Sequence, residues 1–269
     1  MLIIFAKTLK KNLITLLVYS AISASFVWMY VAMWPSMAKE SEKFLEIVDA
    51  YPEAMMKAFN IDVAGMFGSL EGFISGEHFS IIWPIVLIIL VLAYASSAIA
   101  GEIDKGTIEL LLAQPISRLK IFFAKYFSGL AIITAFILLS NFSVVPFSIL
   151  HNVDIQIQNF LTISIIGFLF AFAIFGICMM LSSVSSSRGQ PMAVTGGVLI
   201  IMYALNVFST FKESLENLKY ASFFHYYDFA AAVVKNNIDP LNAAVFLAVG
   251  IICTIIGAVA FVKRDIATT

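Results

Sequence analysis

The best candidate for chemistry in this sequence is a histidine and an aspartate three residues apart, His225 and Asp228. On a helix, this spacing places both side chains on one face, where they could bind a metal ion. Two ligands are fewer than a zinc site uses, and the neighbouring residues are aromatic. An aromatic segment at a membrane interface explains the pair better, and we therefore predict no metal site.

Other catalytic patterns are missing from the sequence. It contains no H-E-x-x-H zinc motif, no G-x-S-x-G nucleophile motif and no G-x-x-x-x-G-K-[ST] phosphate loop. The chain therefore cannot bind and hydrolyse ATP in the P-loop manner by itself. Its two cysteines, Cys178 and Cys253, lie within apolar runs and do not predict a disulfide framework. We expect no enzyme and no cofactor on this chain.

Six apolar runs dominate the sequence and must position whatever site it has. Of the 269 residues, 61% are hydrophobic and only 12% are charged, and the mean hydropathy is +0.97. A run of about 20 apolar residues is long enough to cross the bilayer as a helix. The runs cover residues 13–34, 79–100, 126–150, 160–181, 191–210 and 241–262. They predict an all-α polytopic membrane protein with six transmembrane helices, in a single domain over residues 1–269.

The predicted spans contain no ionisable side chain. Asp, Glu, Lys and Arg are absent from all six, and His78, His151 and His225 fall outside them. Proton- or ion-coupled carriers generally need such groups inside the bundle, so self-sufficient secondary transport is disfavoured. A channel lined by carbonyls, or a sodium site built from carbonyls and hydroxyls, remains open. We expect any driving energy to enter from another chain.

The basic residues predict the orientation of the chain. With both termini in the cytoplasm, the inner side holds ten of the sixteen Lys and Arg residues, including all three arginines, and the outer side holds six. The positive-inside rule therefore predicts a multi-pass protein of the cell membrane with both termini cytoplasmic. The net charge of −1, without a basic patch, excludes nucleic acid as a partner.

Two longer segments lie on the predicted outer side. Residues 35–78 carry apolar stripes at helical spacing within 44–51 and 67–74, which predict short helices on the outer surface. A packed cap explains this segment better than a substrate gate. Residues 211–240 are rich in Phe and Tyr and are predicted to lie at the membrane interface. The sequence does not assign a role to either segment.

The inner loop over residues 101–125 is too polar to cross the membrane and too apolar to be a free linker. Residues 107–114 predict a short helix that Pro115 ends, and Ser117 is suited to cap the next helix. Three consecutive leucines, Leu110 to Leu112, cannot all face lipid. This helix therefore presents apolar surface, which calls for a partner.

The residues of this loop resemble the signature of type-2 ABC (ABC-2) permeases, the membrane subunits of ATP-binding cassette exporters. The chain layout is similar too, and so is its end, with Phe261, Arg264, Asp265 and Ile266. The resemblance implies that residues 107–114 form the coupling helix on which an ATPase docks. The implied docking residues are Glu102, Gly106, Thr107, Glu109, Leu110, Leu111, Leu112, Pro115, Ser117 and Arg118, and the motif also includes Gly101 and Lys125.

The resemblance also implies an assembly and a pathway. Two permease copies, identical or homologous, would pair in the lipid bilayer above two separate ATPase subunits that carry ATP and Mg²⁺. Gly106 would allow a tight turn into the coupling helix and Arg118 would anchor the next helix. The basic N-terminus, with Phe5 and Leu9, resembles an amphipathic elbow helix on the inner surface. Spans two and five would line the substrate path, which points to Tyr94, Ser96, Ser97, Tyr203 and Asn206.

The function implied is the permease subunit of an ATP-driven exporter. The alternative from another class is a non-transporting membrane scaffold or maturation component whose loop docks a soluble partner. A third possibility is the channel or sodium-coupled carrier left open above. A few hydroxyls and one amide on an apolar wall do not identify a substrate. The direction of transport follows from the family alone.

Overall fold

The computed structural model describes residues 1–40, 68–211 and 213–265. Every regular element in this part of the chain is helical, and six helical segments are long and apolar enough to cross a membrane. The apolar stripe predicted at 44–51 lies outside the described residues, as do Phe67 and Ile266. The sequence prediction of an all-α protein with six spans is confirmed.

The helices follow one another along the chain with short connections. They are α1 (Leu2–Lys39), α2 (Leu70–Ile74), a π-helix (Ser75–Ile82), α3 (Trp83–Ala98), α4 (Ala100–Asp104), α5 (Ile108–Leu112), α6 (Arg118–Asn141), α7 (Val144–His151), α8 (Ile157–Val184), α9 (Gly189–Ser209), a 3₁₀-helix (Glu213–Ala221), α10 (Phe223–Tyr226), α11 (Phe229–Val234) and α12 (Pro240–Lys263). The first span is α1, the second Leu70–Ala98, the third Arg118–His151, the fourth α8, the fifth α9 and the sixth α12.

The first span is a single helix of 38 residues that begins at Leu2. The separate elbow helix implied by the resemblance is therefore wrong for this chain. Residues 2–34 contain neither proline nor glycine, so nothing interrupts the helix between the basic segment and the apolar run. Ile4 and Thr8 are buried, and Leu9 packs against the core. This segment thus packs on the bundle as part of the first span.

The second span begins nine residues earlier than predicted, at Leu70 instead of residue 79. The Ser69 hydroxyl caps it by accepting from the Gly72 N–H at 3.1 Å. The extension brings Glu71, Glu77 and His78 into the span, and His151 closes the third span. The helix of the second span thus extends beyond the predicted apolar run and carries these ionisable side chains, whereas the run itself contains none.

Protein contacts replace lipid around two of these polar side chains. His78 is fully buried, with the rings of Phe26, Tyr30 and Phe79 between 5.2 and 6.4 Å from its own. Glu71 is also buried, and its carboxylate accepts from the backbone N–H of Gln156 at 2.7 Å. A hydropathy window misses such positions because it treats every residue of a span as exposed to lipid.

The fourth span is the centre of the bundle. Two-thirds (67%) of its most apolar stretch is buried, against 17% for the fifth span. It packs against the sixth span through glycines: a Cβ added at Gly176 would lie 2.8 Å from the Gly250 carbonyl oxygen, and one at Gly257 would lie 2.9 Å from the Cα of Met180. Glycine at these positions lets the two backbones approach closely. The fifth span, by contrast, leaves most of its surface uncovered.

The aromatic segment between the fifth and sixth spans enters the bundle, whereas the sequence predicted that it lies at the interface. Phe223, Tyr227 and Phe229 are buried. The Tyr227 ring stacks on Phe170 of the fourth span at 4.9 Å and on Trp83 of the second at 6.4 Å. The rings find aromatic partners inside the protein, which the composition of the segment alone does not reveal. The aromatic segment, residues 222–234, therefore packs against the second, fourth and sixth spans.

The aromatic segment also contains the histidine and aspartate pair. The Asp228 carboxylate caps α11 by accepting from the Ala231 N–H at 2.9 Å. The His225 ring lies edge-on to Tyr220 and Tyr226. Among the described residues, no group of three or more His, Cys, Asp or Glu side chains is arranged to hold a metal ion.

Candidate functional site

The loop between the second and third spans contains a short helix with a sharp turn on either side. The helix α5 covers Ile108–Leu112, five residues within the predicted 107–114. Gly106 precedes it with a φ of +68°, a conformation in which glycine is not strained, as its predicted role in a tight turn requires. Pro115 follows it, and the Ser117 hydroxyl accepts from the Lys120 N–H, the cap predicted for the third span.

The three leucines of α5 are not equivalent. Ile108 is buried, and Leu111 and Leu112 are partly buried against the core. Leu110 is 72% exposed and Glu109 is half-buried. Since α5 turns its other apolar residues inward, Leu110 is the apolar side chain that it leaves exposed.

Glu102 ties the first side of the loop to the bundle. The Lys125 ammonium of the third span lies 2.7 Å from its Oε1, and the two side chains are only 9% and 14% exposed. The Thr107 hydroxyl donates to its Oε2, and the Lys11 ammonium of the first span is 3.9 Å from Oε1. Both Glu102 and Thr107, predicted as docking residues, are thus engaged within the chain.

The surroundings of Glu102 keep its carboxylate ionised. Burial alone would raise its pKa, but the hydrogen bonds from Lys125 and Thr107 and the charges of Lys125 and Lys11 outweigh burial and hold the pKa below the ordinary value of 4.5. A lowered folded-state pKa means that the carboxylate stabilises the fold at all pH values above the ordinary one. This contribution is lost as the pH falls through the lowered pKa.

Acid should therefore destabilise the wild-type protein more than a Glu102→Gln variant. Lowering the pH from about 6 through the lowered pKa of Glu102 protonates this carboxylate and leaves Lys125 without its counter-charge, whereas the amide of the variant does not titrate. The measurement is the apparent Tm of each purified protein in detergent across this range. Glu216→Gln is the control, since its 2.7 Å pair with Lys219 is more exposed. Parallel Tm curves for wild type and Glu102→Gln would contradict the prediction.

Two arginines tie the other side of the loop to the bundle. The Arg118 guanidinium, at the start of the third span, donates to the backbone oxygen of Arg264 at the end of the sixth. Arg264 in turn donates to the carbonyl oxygens of Ser183 and Ser185, at 3.1 and 2.7 Å, and to the Ser186 hydroxyl at 2.7 Å. A cation suits this position because the last carbonyls of the fourth span lack helical partners.

The third arginine lies at the same end of the bundle. This arginine is Arg188, between the fourth and fifth spans. Its backbone N–H donates to the Asp104 carboxylate at 3.4 Å. Arg118, which the resemblance assigns to the start of the third span, thus contacts the end of the sixth. The sequence missed the role of Arg264, for which the only signal was its place in a weak C-terminal match.

The residues predicted to line a cavity separate in the structure. The Tyr94 hydroxyl is buried and donates to the Lys125 carbonyl at 2.6 Å, so it supports the loop instead. Ser96 is fully buried, and the Ser97 hydroxyl donates to the Tyr94 carbonyl at 2.8 Å. Of the five residues, only Tyr203 lines the apolar cavity that the described residues form; Asn206 does not.

That cavity lies between the second and fifth spans and has a volume of about 430 Å³. The second span contributes isoleucines at helical spacing and the fifth contributes a glycine, a leucine, an isoleucine and a tyrosine. Its wall residues include Ile81, Ile85, Ile88, Gly196, Ile200 and Tyr203. The isoleucine stripe was readable in the sequence, but nothing there showed that the fifth span faces it.

Comparison with known proteins gives one result over nearly the whole chain. Residues 2–266 match a family model described as "ABC-2 family transporter protein". No curated protein sequence matches the chain. The matched range includes the loop with α5, Glu102 and Arg118, and also Arg264 at the end of the sixth span.

Proposed function

Since the chain belongs to the ABC-2 transporter family, and is thus a multi-pass membrane permease component of an ABC transporter, we propose that it forms the substrate pathway of an ATP-driven exporter. Its motor would be two separate ATPase subunits, which bind ATP and Mg²⁺, beneath a pair of permease copies. The lack of a phosphate loop in this sequence supports this division of labour. The export direction is carried over from the family.

The observation that carries the proposal is an exposed leucine on a helix that is anchored on both sides. Leu110 is 72% exposed in a polar loop outside the apolar spans, where it is available to a soluble partner. An ATPase that covers Leu110 and the neighbouring Glu109 would hold α5 at its free face. A movement of α5 would then be transmitted to the bundle through the contacts that anchor the loop on its two sides.

The anchors on the two sides reach different spans. On one side, Glu102 joins the loop to the third span through Lys125 and lies close to Lys11 of the first. On the other side, Arg118 reaches the sixth span, and Arg264 continues from there to the fourth. Motion of α5 would therefore act on four spans at once, as a transporter driven from outside its membrane domain requires.

The distribution of charge supports a cytoplasmic position for this end of the bundle. It carries the basic N-terminal segment with Lys7, Lys10 and Lys11, the loop, and the three arginines. By the positive-inside rule, this end faces the cytoplasm, where ATP is available.

The proposal predicts that the chain, purified from its own membranes in a mild detergent, brings a cassette-type ATPase with it. Mass spectrometry of the purified complex identifies the partner, and reconstitution into liposomes measures ATP hydrolysis with and without the permease. A permease-dependent increase in hydrolysis is expected. If no ATPase co-purifies and hydrolysis is unchanged, the chain is a scaffold or maturation component instead of a motor-driven permease.

A further inference from the structure

The cavity between the second and fifth spans has two chemically different ends, because the two helices run in opposite directions. The second span runs toward the loop end of the bundle and the fifth runs away from it. Ile88 and Ile89 of the second span therefore lie near Gly196 of the fifth, at the loop-side end. Ser80 and Ile81 lie at the far end with Tyr203.

The far end carries a carboxylate. Glu77 is exposed and lies in the π-helix, four residues before Ile81, a wall residue that is also exposed. It therefore lies about one helical turn beyond the last wall residues. Within the described part of the chain, no cation forms an ion pair with it. An ionised group in a membrane span is costly unless something pairs with it.

Two aromatic rings lie at the same end. The Tyr203 and Phe224 rings meet edge to face, with centroids 5.2 Å apart, and both line the cavity. Aromatic faces attract cations, quaternary ammonium groups in particular. The loop-side end has only aliphatic side chains and a glycine in its wall.

We propose that this cavity binds an amphiphile whose apolar tail lies between the second and fifth spans and whose cationic head group lies beside Glu77, Tyr203 and Phe224. The volume of about 430 Å³ falls within the range of small-molecule sites. Charge complementarity selects a cation over an anion, and the apolar walls select an amphiphile over a hydrophilic ion. That the bound molecule is the cargo rests on the proposed function.

Photolabelling of the purified chain in nanodiscs tests the proposal. The probe is dodecyltrimethylammonium with a diazirine in its alkyl chain, and dodecanoate with the same diazirine is its anionic counterpart. We expect the cationic probe to label the peptides that contain residues 81–89 and 196–203. Labelling by the anionic probe should be weaker by about twofold to fivefold, the effect of one favourable charge pair at an exposed site.

Two substitutions test the head-group end and the tail end of the cavity separately. Glu77→Gln should reduce the preference for the cation to the smaller part that the Tyr203 and Phe224 rings supply. Gly196→Leu should fill the tail end and reduce labelling by both, without backbone strain, because a Cβ at Gly196 meets only the Leu92 Cδ1, at 3.6 Å. Gly197→Leu is the matched control, because a Cβ there meets no atom within 4 Å and the residue does not line the cavity.

Two results would overturn the proposal: equal labelling by the two probes in the wild type, or the same loss of labelling in Gly196→Leu and Gly197→Leu. Competition by excess phosphatidylcholine would identify the head group as that of a membrane lipid, and lack of competition would identify a free amphiphile. The experiment needs no ATPase. A negative result would therefore remove the cationic ligand and leave the permease assignment, which co-purification tests separately.

Discussion

A Leu110→Asp variant is expected to bind the partner ATPase about 10- to 100-fold more weakly than the wild type, because burial of one leucine contributes roughly 1.5–3 kcal/mol. A carboxylate at the same place would also have to be desolvated on docking. The permease itself should stay folded, since Leu110 is 72% exposed and substitutions at exposed positions change stability little. The measurement is the Kd of the purified permease for the purified ATPase, together with the Tm of the permease alone.

Comparison with another exposed leucine makes the Leu110 result specific. Leu2 is 82% exposed and belongs to the first span, which reaches the loop through Lys11 and Glu102. The Leu2→Asp variant adds the same charge at the same end of the bundle and should bind the ATPase with nearly wild-type affinity. Equal weakening by both substitutions, or unchanged affinity in Leu110→Asp, would show that α5 is not the docking helix.

The sequence predicted the features that depend on local composition. An apolar run predicts a membrane helix whatever its neighbours are, so the sequence alone could predict the six spans. The turn at Gly106 and the cap at Ser117 depend on a few adjacent residues, and both are in the structure. The loop is predicted to be an interaction surface because three leucines in a polar segment need cover, and this stays a prediction.

Features that depend on tertiary contacts could not be predicted from the sequence. A carboxylate or a histidine can lie in a span when protein groups surround it, as they do Glu71 and His78, and composition does not show those groups. The same holds for Tyr227, whose partner rings come from two other spans. Which leucine of α5 faces outward also depends on how the helix packs, and the sequence placed all three in one set.

The structure differs most from the predicted site where residues far apart in the sequence come into contact. Glu102 and Thr107 stood among the predicted docking residues, yet the structure shows Glu102 bound to Lys125 and Thr107 bound to Glu102. Arg118 and Arg264 are 146 positions apart and form one continuous link. Under the proposed function, these residues fall into two classes: an outer class that would meet the partner and an inner class that would pass its motion to the spans.

The role of the inner class can be tested with a substitution that removes one set of hydrogen bonds and leaves the neighbouring contacts intact. In an Arg264→Ala variant, Arg118 keeps its acceptor, because that acceptor is the backbone oxygen of residue 264. Only the contacts of residue 264 with Ser183, at the end of the fourth span, and with Ser185 and Ser186, just after it, are lost. The variant should bind the ATPase normally, since Leu110 and α5 are untouched.

The expected defect of Arg264→Ala lies in coupling, with a kcat for permease-dependent ATP hydrolysis reduced about tenfold, a size typical of coupling free energies between sites. The KM for ATP, the affinity for the ATPase and the Tm of the permease should change little. Arg264→Lys should recover only part of the rate, because an ammonium keeps the charge at the end of the fourth span but lacks the planar fork that reaches three acceptors. Lys263→Ala, at the exposed neighbouring position, is the control. Should Arg264→Ala lower the Tm and the ATPase affinity in parallel with kcat, or leave kcat unchanged, Arg264 would be a structural cap with no part in coupling.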